Sequence, residues 1–62
     1  MPHISIDGPH LNREQKAELV KEFTEIASRI MKIPKEAFVI VIKENDPENV
    51  GVGGKLLADR EK

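Results

Sequence analysis

Proline is the second residue of the chain, directly behind methionine, and two roles are open to it. At the head of a strand, proline fixes φ and offers the sheet no N–H donor. Once Met1 is removed, as an initiator methionine generally is before a small residue, Pro2 instead carries a free secondary amine. An α-amino group titrates near ~7.7–8.0, and an apolar pocket disfavours its charged form and lowers that value. An amine tuned close to working pH takes a proton from one carbon of a substrate and returns it to another.

The remaining candidate groups have simpler explanations. Gly51-Val52-Gly53-Gly54-Lys55 lacks the spacing and the Ser/Thr of a nucleotide loop. A tight hairpin, with glycines supplying positive φ, accounts for it. His3 and His10 fall at a strand start and in a loop, with no periodicity to bring them together, so solvent-exposed histidines and no metal site are expected. The 11 carboxylates fall mostly on solvated faces or at a cap, and no helix or strand spacing forces two together. With no cysteine, disulfides and thiolate metal sites are excluded. An enzyme built on this chain needs an unusual catalytic group, and Pro2 supplies one.

The elements that must carry these residues are legible in the pattern. Residues 3–7 alternate, with Ile4 and Ile6 on one face and His3, Ser5 and Asp7 on the other, which predicts a half-buried strand. Gly8-Pro9 breaks it. Asn12 and Gln15 form a capping-box pair and Glu14 suits the first turn of a helix. Leu19, Val20, Phe23, Ile26, Ala27, Ile30 and Met31 then recur at steps of three and four, predicting a helix over 13–32 that Pro34 stops. Residues 38–42, FVIVI, are apolar at every position and predict a strand buried on both faces. One helix between two strands makes a β-α-β unit with parallel strands and a right-handed crossover. Asn45, Asp46 and Pro47 are loop chemistry, followed by the glycine hairpin, Leu56, Leu57 and a charged end.

A chain of 62 residues is one domain, residues 1–62, and a thin one. Ordering entropy and apolar burial nearly cancel at this size. One short helix covers one face of a small sheet, so a partner subunit is expected on the other. Charged residues make up 34% of the chain, yet the net charge is −1, which leaves no basic footprint for nucleic acid. Phe23 and Phe38 are the only aromatic residues, too few for base stacking. No apolar run reaches a membrane span and no charged-then-apolar leader opens the chain, so a cytoplasmic protein is expected.

Proline behind methionine, Glu14-Gln15-Lys16 opening a long helix, an apolar second strand ending in Glu44, and Asn49-Val50-Gly51-Val52-Gly53-Gly54 occur in an order that resembles the 4-oxalocrotonate tautomerase family. The likeness runs over essentially the whole chain. It implies an α/β (α+β) fold: a β-α-β protomer with a C-terminal hairpin, in dimers that merge their sheets and a hexamer built as a trimer of dimers. It also implies cofactor-independent enol–keto tautomerisation, with the processed Pro2 as general base acting on a small carboxylate such as 2-hydroxymuconate or an enolpyruvate. Other family features are altered. Leu11 falls where a substrate-holding arginine is expected, or Asn12 if one counts from Pro2, and Arg13 is the nearest cation. Val39 takes the place of a second arginine, with Lys43 further along the same strand face. Val50 stands where an aromatic wall is expected. The dicarboxylate substrate of the best-known members is therefore open. A non-catalytic oligomeric scaffold or binding module of the same fold, and a proline-dependent decarboxylase or imine-forming relative, are the alternative functions.

Overall fold

The computed structural model describes residues 1–60. Strand β1 (His3–Gly8) pairs in parallel with β2 (Val39–Glu44), in a register running from His3 against Val39 to Gly8 against Glu44. The ladder continues one residue past each end. The Val39 N–H donates to the Pro2 carbonyl at 3.1 Å, and the Asn45 N–H donates to the Gly8 carbonyl at 2.9 Å. Pro2 lacks an N–H but keeps its carbonyl, so it heads the strand as an acceptor.

Helix α1 (Arg13–Met31) makes the crossover. Asn12 Oδ1 accepts the Gln15 N–H at 2.8 Å, and Gln15 Oε1 accepts the Asn12 N–H at 3.1 Å, so the expected capping box is complete. The helix ends one residue before 32. Lys32 turns left-handed at φ 59° and ψ 43°, donating its N–H to the Ser28 carbonyl at 2.9 Å. Ser28 Oγ then donates to the Ile33 carbonyl at 2.6 Å, which directs the chain into Pro34. A 3₁₀ turn, Lys35–Ala37, follows and is closed by the Phe38 N–H donating to the Lys35 carbonyl. Phe38 thus ends a turn instead of opening the strand, and β2 starts one residue later than the apolar run and extends through Lys43 and Glu44.

After a second 3₁₀ turn, Pro47–Asn49, the glycine cluster forms the expected hairpin of β3 (Gly51–Val52) and β4 (Lys55–Leu56). Gly53 and Gly54 sit at φ 61° and 88°, where a side chain would be strained. A four-residue helix, α2 (Leu57–Arg60), follows directly, which the sequence pattern did not indicate. The Leu57 N–H donates to the Val50 carbonyl at 2.8 Å and folds this segment back on the loop before the hairpin.

Strand alternation separates the two faces of the parallel pair. Ile4, Ile6, Ile40 and Ile42 share the half-buried face, while His3, Ser5, Asp7, Val39 and Lys43 are exposed on the other. Burial stops there: among the described residues no side chain is fully buried. Phe23, Ile26 and Ile30 on the apolar stripe of α1 are 40%, 46% and 66% exposed, and Val39, expected inside, is 40% exposed. The Cα radius of gyration is 14.9 Å, against about 11 Å for a compact chain of this length. No helix among the described residues is long and apolar enough to cross a membrane.

The exposed stripe predicts that the wild-type chain sediments as a multiple of its own mass, and that Ile26→Lys shifts it to smaller species with a lower melting temperature. A folded wild-type monomer at micromolar concentration would contradict this. Separately, Asn12→Ala should cost about 1 kcal/mol in denaturant unfolding, through loss of the cap.

Candidate functional site

Parallel pairing places both strand starts at one end of the protomer and both strand ends at the other. Pro2 and Val39 share the first end, joined by the hydrogen bond between their backbones. Pro2 is partly covered, whereas Met1 ahead of it is 92% exposed. Alternation puts Pro2 on the same strand face as Ile4 and Ile6. Next to it, His3 points to the other face, with its Nε2 3.1 Å from Ser5 Oγ.

Arg13 and Val50 lie at the opposite end. Six strand steps at ~3.3 Å separate Pro2 from Gly8, so the two ends are roughly 20 Å apart. Within one protomer the structure therefore brings Pro2 to Val39 and Arg13 to the neighbourhood of the strand ends, but it does not bring these two groups together.

The far end is organised around Glu44, the last residue of β2. Its Oε2 accepts the Leu11 N–H at 2.8 Å, and its Oε1 meets Lys16 Nζ at 2.9 Å. His10 Nδ1 lies 3.8 Å from Oε2, while His10 Nε2 bonds Asp46 Oδ1. One carboxylate thus gathers the β1–α1 loop, the first turns of α1 and the end of β2. The Leu11 N–H bond, and next the Lys16 ammonium, hold the Glu44 pKa below its ordinary 4.5, despite the opposing effect of desolvation. The sequence pattern missed this cluster, because Glu44 ends a strand and looks solvated. The signal was topological: a parallel pair brings the end of its second strand beside the loop leaving its first, where helix N-terminal N–H groups need acceptors. His10 is solvent-exposed, as expected, and its ring faces two carboxylates. Among the described residues, no group of three or more His, Asp or Glu side chains is arranged to hold a metal ion.

These bonds also sort the candidates for substrate contact. Leu11 gives its N–H to Glu44, and Asn12 is the helix cap. Arg13 makes no ion pair among the described residues. A cation in the first turn opposes the helix dipole by about 0.3–1 kcal/mol, so the helix itself gains nothing from it. Val50 lines a cavity of about 390 Å³ together with Asp7, Gly8, Pro9, Asn45, Pro47 and Leu57. Of these, sequence reasoning had singled out Val50. The rest come from three separate chain segments, which register and the Leu57–Val50 bond bring together.

Comparison with known proteins agrees with this architecture. Residues 2–60 match the family model described as tautomerase enzyme. A probable tautomerase of Campylobacter jejuni is 36% identical over 53 residues, covering 86% of this chain and 78% of that protein. The crystal structure of DmpI from Archaeoglobus fulgidus superposes with a TM-score of 0.87 at 43% identity, over 94% of this chain and 100% of that one. A heterohexamer 4-oxalocrotonate tautomerase from Chloroflexus aurantiacus superposes with a TM-score of 0.81 at 25% identity, over 95% of each chain.

The Glu44 contacts yield a pH prediction. Because the folded-state pKa is depressed, the contribution of Glu44 to stability is complete above about pH 4.5 and is lost as pH falls through the lower folded-state value. Melting temperature should therefore fall between pH 5 and pH 3 less steeply in Glu44→Gln than in wild type. Parallel acid profiles of the two proteins would refute the assignment.

Proposed function

Because the chain belongs to the 4-oxalocrotonate tautomerase family, we propose that it is a cofactor-independent tautomerase whose general base is the secondary amine of Pro2, freed by removal of Met1. The observation that carries this reading is the state of the first two residues. Pro2 is held at the strand head through its carbonyl, while Met1 projects into solvent at 92% exposure. Cleavage of that exposed bond leaves an amine on an ordered strand, with the hydrogen bond to Val39 untouched.

The proton transfer needs no redox partner. The neutral proline nitrogen takes the proton from the enol hydroxyl of a 2-hydroxydienoate or enolpyruvate. The O–H electron pair becomes the C=O π bond, and the C=C electron pair takes a proton at carbon from the prolinium. Atoms and charge balance, and the amine is regenerated. Arg13 is the cation for the substrate carboxylate, and Val39 and Val50 are apolar walls.

Pro2 and the cavity holding Val50 lie at opposite ends of a protomer, so the site is shared: Pro2 of one chain works on a substrate held in the cavity of another. The exposed apolar stripe of α1 supports such an assembly, as does the hexameric state named for the Chloroflexus relative. A homohexamer is the form proposed for this chain, and its ligand is a small-molecule carboxylate.

The test is enol ketonisation followed by ultraviolet absorbance, on protein whose Pro2 terminus is confirmed by mass spectrometry. Pro2→Ala should lower kcat/KM at least ~100-fold, and so should protein that retains Met1. Mixed and reassembled Pro2→Ala and Val50→Arg chains should regain about one quarter of wild-type activity, since one site in four then pairs an intact proline with an intact cavity. Full activity in Pro2→Ala would sink the proposal.

A further inference from the structure

The cavity beside Val50 carries a second message in its charges. Its walls are aliphatic at Pro9, Pro47, Val50 and Leu57, with Gly8 and the Asn45 amide between them. Among the described residues lining it, Asp7 alone is charged, and no lysine or arginine takes part. Asp7 makes no ion pair among the described residues. The cations closest in sequence and register are accounted for: Lys16 is bound to Glu44 at 2.9 Å, and Lys43, the partner of Asp7 across the strand pair, does not line the cavity. Arg13, at the start of α1, remains for a single carboxylate.

On the reading that this cavity receives the substrate, we propose that the preferred substrate is a 2-enol acid with one carboxylate and an apolar tail, aryl or branched alkyl, and that Asp7 is the residue that rejects a second carboxylate. A space of about 390 Å³ accommodates such a tail, within the size range of small-molecule pockets. An aromatic or alkyl tail loses water on entering these walls and leaves no polar group unmatched. A carboxylate in the same place sheds its hydration without a cation on this chain's cavity walls to replace it, and meets the like charge of Asp7. Specificity of this kind is a difference between affinities, built here from repulsion as well as fit.

Two substrates decide the matter: phenylenolpyruvate, with one carboxylate, and 2-hydroxymuconate, with two. Wild-type protein ending in Pro2 should favour phenylenolpyruvate in kcat/KM by about tenfold or more, and Asp7→Asn should cut that ratio several-fold, mainly through a lower KM for the dicarboxylate. Asp7→Lys should cut it further. A wild-type preference for 2-hydroxymuconate, or a ratio that Asp7→Asn does not change, overturns the inference. Loss of turnover in Pro2→Ala tests the tautomerase reading separately. If Pro2-terminated protein converts neither substrate, binding decides. Stronger cinnamate than muconate perturbation of the Val50 and Leu57 amide resonances supports the charge selectivity even as the catalytic reading falls; the reverse order overturns it.

Discussion

The parallel ladder between β1 and β2 is the constraint on which the rest of the protomer depends. Two parallel strands cannot be joined by a hairpin, so a long crossover is obligatory, and α1 supplies it. The same register sends both strand starts to one end and both strand ends to the other. Pro2 is thereby locked to Val39 at one pole, while the loops after Gly8 and Glu44 meet at the other. Division of the proposed chemistry between distant poles is a consequence of strand direction before it is a matter of side chains.

At the loop pole, Glu44 does what a capping residue does, but from a different chain segment. The Asn12–Gln15 box satisfies N–H groups at the mouth of α1, and Glu44 takes the Leu11 N–H just ahead of it. Lys16 adds charge to the contact from one turn inside the helix. The half-buried position and the gathered partners distinguish it from an exposed surface pair, whose net worth is small. Its effect is geometric: it keeps the loop containing Pro9 against the strand ends, and Pro9 is one wall of the cavity.

Local chemistry made much of the fold legible in advance. The β1 alternation, the capping box, the apolar stripe of α1, the stop at Pro34 and the glycine hairpin each depend on neighbours in sequence, and each occurs in the structure. Phe38 misled because an apolar residue closing a 3₁₀ turn has the same hydropathy as one opening a strand; the turn is visible only through the bond to Lys35. Helix α2 is too short to show a period. For the candidate site, Pro2 stood out by type and by family likeness, and Val50 by family likeness alone. The Glu44 cluster and the Asp7 wall did not, because both arise from register between segments more than thirty residues apart. Pairing can suggest such contacts only after the topology is known.

The open apolar stripe of α1 has a thermodynamic consequence beyond geometry. In the proposed homohexamer that stripe is covered only by assembly, so stability there depends on the concentration of chains. Mass action enters the folding equilibrium itself: dilution favours the unfolded ensemble, and synthesis above a threshold favours the assembled one. For such an assembly, expression level, usually a matter of how much activity a cell holds, becomes one of the variables that decide whether the polypeptide is folded at all.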